Sequence, residues 1–217
     1  MRRVALASAV MTSLLAFSLA ACGGDDDNER VGAPGCARVQ APPPQHEQPP
    51  PRRPVIRPGA HLTAMMETSC GSFAFALATT SSPRTTNSFV HLVREGFYDG
   101  LTFHRIVAGF VIQGGDPTGT GRRGPGYTTD EPPPRNLAYT KGVVAMAKSP
   151  VEPPGRSGSQ FFVVTVPDAG LSPDYAFLGR VTRGMDVIER IGSLGTPSGR
   201  PKQTVLIERV TVRGGDG

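Results

Sequence analysis

The chain has 217 residues, a net charge of +5, three cysteines, 22 prolines and 27 glycines, and 38% of it is apolar. That length holds one domain of ordinary size with room for extensions. The basic residues form no stripe interleaved with aromatics, which argues against a nucleic-acid surface, and the four histidines (His46, His61, His91, His104) fall into no metal-ligand spacing.

The N-terminus has Arg2 and Arg3 followed by an apolar run over 4–20, the pattern of an export leader. The run is near the lower limit for a spanning helix, but it ends in Leu19-Ala20-Ala21-Cys22. That tetrapeptide resembles the bacterial lipobox. The resemblance implies that 1–21 is a lipoprotein signal peptide and that Cys22 is lipidated. The expected place is then the extracytoplasmic face of a cell membrane, with the membrane as a partner through the lipid.

Residues 22–59 read as a disordered Pro-rich tether. Asp25, Asp26 and Asp27 form a solvated charge run, and eight prolines lie between Pro42 and Pro58. Proline runs favour extended polyproline II at about 3.1 Å per residue, so some 36 residues would reach on the order of 100 Å. Cys36 in this stretch and Cys70 beyond it either pair in an oxidising compartment or remain two thiols; the sequence leaves both open.

Residues 60–213 have the composition of a globular domain. Stretches 61–68 and 72–78 flank a Ser-Cys-Gly turn and read as a hairpin. Ser82-Pro83 opens a helix, with Ser as N-cap and Pro at the first position. Phe89, Leu92, Val93 and Phe97 give that helix one apolar face, and Gly96 ends it. Strands are expected over 101–107 and 110–114, then a Gly- and Pro-rich loop over 117–134. A strand over 142–147 precedes a loop over 148–158. Two more strands follow over 160–166 and 176–182. A short helix over 184–191 carries Met185, Ile188 and Ile191 on one side and is closed by Gly192, and a last strand covers 205–212. About eight short strands, two distant helices and no βαβ alternation predict a mainly β domain. The expected form is a closed eight-stranded antiparallel barrel capped by two α-helices.

No nucleophile elbow or phosphate loop is present, and no paired carboxylates fall in a plausible cleft. What stands out is Arg105 in an apolar strand and two amides, Gln113 and Gln160, in apolar surroundings. A buried amide needs partners. Period-two alternation puts Gln160 and Phe162 on one face and Phe161 on the other. By the same rule Phe110 and Gln113 point to opposite faces, so they can share a pocket only if the chain bends near Gly109.

Three segments carry a family resemblance: Phe103-His104-Arg105-Ile106, Gly109-Phe110-Val111-Ile112-Gln113-Gly114-Gly115-Asp116 and Gly158-Ser159-Gln160-Phe161-Phe162. Together with Glu95-Gly96-Phe97-Tyr98-Asp99-Gly100-Leu101 and Val143-Val144-Ala145-Met146-Ala147, they closely resemble the cyclophilin-type peptidyl-prolyl cis-trans isomerases over residues 63–212. The resemblance implies the same barrel as the strand count. It implies a catalytic set of Arg105, Gln113 and Phe110. Substrate is expected to be held by Val111, Gln160, Phe162 and Leu171, by the backbone of Ala147, Lys148 and Ser149, and at the rim by His104 and Tyr175. Lys148 and Ser149 stand where family members often have Asn and Ala, Tyr175 where many have His, and the loop over 150–157 is about three residues longer than usual.

The implied activity is rotation of Xaa-Pro bonds in exported proteins during folding. It needs no cofactor or metal, and its partners are proline-containing segments. The chain is expected to act as a monomer. The other class open at this level is a non-catalytic proline-segment binding module or chaperone using the same groove.

Overall fold

The structure, a computed structural model, describes Met1 and residues 33–44, 49–51 and 53–214. The expected leader, Cys22, the run Asp25, Asp26 and Asp27, and His46 lie outside the described residues.

Eight strands form one antiparallel sheet in the order β10-β1-β2-β9-β6-β8-β4-β3. They are β1 (Leu62–Thr68), β2 (Gly71–Leu77), β3 (Arg105–Val107), β4 (Val111–Gly114), β6 (Val143–Met146), β8 (Phe161–Val164), β9 (Phe177–Arg183) and β10 (Ile207–Gly214). β5 (Thr129–Asp130) and β7 (Arg156–Ser157) make a separate two-stranded ribbon. Helices α1 (Pro83–Arg94) and α2 (Met185–Ser193) lie far apart in sequence, as the apolar periodicity predicts.

The eight-stranded antiparallel barrel expected from the sequence is present as one curled sheet. β3 and β10 are its edges, and the seam is joined ahead of both. Thr102 bridges Leu206, the Phe103 N–H donates to the Val205 carbonyl (3.0 Å) and the Ile207 N–H to the Leu101 carbonyl (2.7 Å). The strand expected over 101–107 is therefore split, into a bridge at Thr102 and β3 proper.

Alternation sorts the side chains into two clusters. Ile106, Ile112, Val144, Met146, Phe161 and Val163 turn inward to the main core with Phe73, Phe75, Phe89 and Tyr98. Ring contacts run from Phe75 through Phe89 and Tyr98 to Phe161, at centroid distances of 5.0–5.9 Å. Val111, Val143, Ala145, Phe162 and Val164 turn outward to a second cluster with Tyr139. This outer cluster is where the sheet builds a site.

Two element ends differ from expectation. Ser82 occupies the N-cap of α1, but its hydroxyl makes no cap bond. The helix is capped from elsewhere in the chain: the Glu131 carboxylate accepts the N–H groups of Arg84 (3.1 Å) and Thr85 (2.7 Å). An anion there also meets the positive end of the helix dipole. Gly192 does not close α2, which continues to Ser193 with Leu194 as C-cap.

Part of the stretch expected to be a free tether is docked on the domain. Cys36 and Cys70 form a disulfide, so of the two states the sequence left open the bonded one is present. The Ala37 N–H donates to the Ser69 carbonyl (2.7 Å), and Gln203 holds Ala33 and Ala37. Farther along, the Pro49 carbonyl meets His91 Nε2 (3.0 Å), Asn87 accepts the N–H groups of Val55 and Ile56, and Arg94 donates to the Val55 carbonyl (2.8 Å). Proline-rich backbone keeps its carbonyls free for donors on a neighbouring surface, and α1 supplies them.

Candidate active site

Strand register places the central residues in one row. Arg105 on β3 lies opposite Gln113 on β4, Gln113 opposite Phe162 on β8, and Phe162 opposite Ala145 on β6. Neighbouring strands are about 4.8 Å apart, so the row runs on the order of 15 Å across the outer face. The amides are satisfied in sequence. Arg105 Nη1 donates to Gln113 Oε1 (3.2 Å), Gln113 Nε2 to Gln160 Oε1 (3.0 Å), and Gln160 Nε2 to the Arg123 carbonyl (2.9 Å). Each link fixes the next side chain's orientation, and the guanidinium keeps further N–H donors with no partner among the described residues. The Arg105 stem is braced from behind by the turn at Gly199, whose carbonyl accepts the Ile106 N–H (2.8 Å).

Beside this polar line is an apolar floor. Val111 and Phe162 are 2% and 4% exposed. Phe110, Ala147, Leu171 and Tyr175 are half-buried around them. Tyr175 meets Phe162 and Tyr139 edge-on at 5.3 and 5.8 Å. The Tyr139 hydroxyl donates to the Tyr175 carbonyl (2.6 Å) and accepts its N–H (2.9 Å). Burial pushes the Tyr139 hydroxyl up to about 12, so it stays protonated and able to donate. The bend that the sequence required is present. Phe110 precedes β4, in a turn where its N–H donates to the Val107 carbonyl (3.1 Å) and Gly109 takes φ +67°. Alternation therefore does not bind Phe110, and it packs on the same outer cluster as Val111.

The rim differs from expectation. Of the three residues expected to hold a peptide by their backbone, two N–H groups are already committed. Ala147 donates to the Gln160 carbonyl (2.8 Å), and Ser149 to the Glu152 carboxylate (2.6 Å). Only the Lys148 N–H is without a partner among the described residues. The first bond continues the β6–β8 pairing by one residue, and the second comes from Glu152 folding back in the loop; the Lys148 ammonium donates to the Glu152 carbonyl (3.0 Å) and stands 5.6 Å from the Tyr175 ring centre. His104, expected at the rim, is half-buried. Its two ring nitrogens are buried without a hydrogen-bond partner among the described residues, and the turn at Gly121 lies over the ring. Burial lowers its pKa from the ordinary 6.5; the Asp116 charge and the neighbouring Gln160 amide oppose that shift, and Arg105 adds to it. The His104 ring packs against the loop at Gly121.

That loop is fastened by a residue to which sequence reasoning gave no role. Asp116, 1% exposed, accepts the N–H groups of Thr118, Arg122 and Arg123 and the hydroxyls of Thr118 and Thr120. Burial alone would raise its pKa, but these donors outweigh it and hold the carboxyl below its ordinary value. The signal was present in Asp116-Pro117-Thr118-Gly119, a sequence that favours an Asx-type turn. Tyr139, Ala145 and the Arg123 carbonyl were also missed, because each enters the site only through strand register or a distant loop.

Among the described residues no group of His, Cys, Asp or Glu is placed to hold a metal. The arrangement can seat a small apolar ring on Phe110, Val111 and Phe162 while presenting a cation and an amide along one edge. It has no nucleophile–base pair for breaking a bond.

The comparisons with known proteins agree with this geometry. The family described as "Cyclophilin type peptidyl-prolyl cis-trans isomerase/CLD" matches residues 63–212. The peptidyl-prolyl cis-trans isomerase CYP18-2 of Arabidopsis thaliana is 42% identical over 159 residues, 71% of this chain and 95% of the relative. A peptidyl-prolyl cis-trans isomerase-like 1 of Gibberella zeae is 41% identical, covering 68% and 93%. The crystal structure of a Cryptosporidium parvum cyclophilin-type isomerase superposes with a TM-score of 0.65 at 28% identity, over 72% of this chain and 99% of that one. A second structure of that protein, determined in the presence of the dipeptide Ala-Pro, gives 0.64 at 29% identity, over 70% and 99%.

Proposed function

The chain belongs to the cyclophilin-type peptidyl-prolyl cis-trans isomerase family, and on that premise we propose that it speeds rotation about Xaa-Pro bonds in exported proteins, held to a membrane by lipid at Cys22. The observation that carries the catalytic part is the row Arg105–Gln113–Phe162, set in register on three adjacent strands beside the apolar floor.

The amide C–N bond resists rotation by about 18–20 kcal/mol because of its partial double-bond character. Twisting removes the resonance, and the proline nitrogen becomes pyramidal and basic. A donor aimed at that nitrogen is worth more in the twisted state than in the planar one, and only such a difference raises the rate. Arg105 is that donor, because its guanidinium keeps N–H groups beyond the one given to Gln113. The ring rests on Phe110, Val111 and Phe162, and the Gln113 amide, held by Arg105 and Gln160, steadies a substrate carbonyl. Going from tens of seconds to roughly 10³ per second requires about 5–7 kcal/mol. One charge-assisted donor in a sheltered site, together with positioning, is of that order. The Ala-Pro dipeptide used with the Cryptosporidium relative has the minimal ligand chemistry this floor fits.

Support for the compartment is separate. The leader pattern and Leu19-Ala20-Ala21-Cys22 point to export and lipidation. A disulfide that ties residues 33–37 to the β1–β2 turn suits an oxidising environment.

Two experiments test the reading. Exchange NMR on an Xaa-Pro peptide should show acceleration by the wild type and loss of it in Arg105→Ala. Labelling with a fatty acid should be lost in Cys22→Ser, and unchanged labelling would remove the anchor from the account.

A further inference from the structure

The loop that Asp116 fastens ends in two arginines whose side chains the isomerisation mechanism does not use. Arg122 and Arg123 are both exposed. Their backbone is fixed on two sides, since both N–H groups donate to Asp116 and the Arg123 carbonyl accepts from Gln160, the outer link of the Arg105–Gln113–Gln160 relay. The backbone of the two arginines is therefore held at the rim, Arg123 directly on the site's own hydrogen-bond line, with both side chains exposed.

Neither guanidinium has an anionic partner among the described residues, although carboxylates are present on the neighbouring segments. Asp116 is buried within the loop it organises. Asp130 is paired with Arg156, Glu131 caps α1, and Glu152 is turned to the Ser149 N–H. Asp130 is neutralised by Arg156, and the oxygens of the other three are taken by N–H and hydroxyl donors, so none of the four pairs with Arg122 or Arg123. Lys148, at the opposite lip, has its ammonium on backbone carbonyls.

We propose that Arg122 and Arg123 form a specificity element that selects proline segments bearing Asp or Glu close to the proline. The inference rests on the isomerase reading for the groove, but its own content is the charge preference. The chemistry is carboxylate–guanidinium attraction at a partly exposed rim. Each such pair contributes modestly and is screened by salt, so the two together should give about a two- to tenfold preference in low salt.

The test uses the full chain and a peptide set in which Glu, Gln or Lys is placed one, two or three residues to either side of a single proline. Exchange NMR gives kcat/KM, and shift titration gives Kd for the same peptides. In at least one register the Glu peptide should exceed its Gln counterpart about two- to tenfold, with Lys below Gln. The ratio should fall toward one between about 20 mM and about 0.5 M salt, as the screening length drops from roughly 20 to 4 Å. It should also fall toward one in the Arg122→Gln, Arg123→Gln double variant. Equal Glu and Gln values in every register, or a Glu advantage that survives both salt and the double substitution, would overturn the proposal. Should the double variant fail to fold, the single variants Arg122→Lys and Arg123→Gln carry the assignment: an unchanged Glu-to-Gln ratio in Arg123→Gln would overturn it, since salt screens every cation at the groove alike. If no peptide is accelerated, the isomerase reading falls, while the Kd ratio still decides the charge preference.

Discussion

Gly199 is the position where a small change should separate rate from stability. Its φ is +83°, and a Cβ added there would lie 3.1 Å from Arg105 Cγ, 3.3 Å from Val107 Cγ2 and 3.5 Å from Arg105 Nε. The left-handed backbone costs any L-residue about 1–2 kcal/mol. The short contact adds a second effect, because the Arg105 stem must retreat by a few tenths of an ångström, and the shift grows along the side chain to about 1 Å at the guanidinium. A misplacement of that size costs up to about a hundredfold in rate. Gly199→Ala should therefore lower kcat/KM about 10- to 100-fold. The control is Gly59→Ala, at φ +78° with only Thr80 Oγ1 nearby, at 3.8 Å. It has the same backbone cost without touching Arg105. Thermal unfolding should show similar losses for both, on the order of 2–8 °C, and exchange NMR should show a rate loss only for Gly199→Ala. Wild-type turnover in Gly199→Ala, or equal rate losses in the two variants, would refute the claim that the Gly199 turn holds Arg105 in place.

The disulfide closes a segment with sequence separation 34, for which chain entropy gives about 3.8 kcal/mol of stabilisation. Cys36→Ser, or reduction, should then lower the melting temperature by roughly 8–15 °C and leave turnover in the cold intact; an unchanged melting point would show that the bond constrains nothing. His104 gives a pH signature. Its folded pKa lies below the ordinary 6.5, so as pH falls below about 6.5 the unfolded chain takes up a proton that the folded chain refuses, and stability declines with acid until the folded pKa is reached. Asp116 works in a separate, lower window: its contribution is complete above about 3.8 and is lost as pH falls from there through its depressed folded pKa. Denaturant midpoints between pH 7.5 and 5 should fall more steeply for wild type than for His104→Asn, and parallel curves would contradict a buried neutral ring.

The sequence revealed most where a side chain's role follows from its own strand. Alternation separated Phe161 from Phe162, and the helical spacing of Phe89, Leu92 and Val93 marked a face that is fully buried. Arg105, Gln113 and Gln160 stood out because charged and amide groups in apolar strands need partners, and the structure supplies those partners from one another. What was hidden depends on segments distant in sequence. Glu131 reaches the start of α1 from 46 residues away. Tyr139 orients Tyr175 across 36 residues. Nothing in the local pattern around Ser149 shows that Glu152 takes its N–H. The docking of the Pro-rich stretch was hidden for a related reason. Its composition suits an extended free chain, and only the surface of α1 shows where its carbonyls are received. The eight-stranded antiparallel arrangement was legible from the strand count, which does not show that its seam is joined by a bridge and not by a full ladder.

The central claim is that Arg105 stabilises the twisted amide from its place in the cross-strand row. Exchange NMR on one Xaa-Pro peptide, comparing wild type, Arg105→Ala and Arg105→Lys, tests it most directly. The wild type should accelerate exchange strongly. Arg105→Ala should lose about a hundredfold or more while still binding the peptide on Phe110, Val111 and Phe162. Arg105→Lys should recover only part of the rate, since an ammonium cannot keep both the Gln113 bond and the aim of a guanidinium fork. Undiminished acceleration by Arg105→Ala would contradict the account.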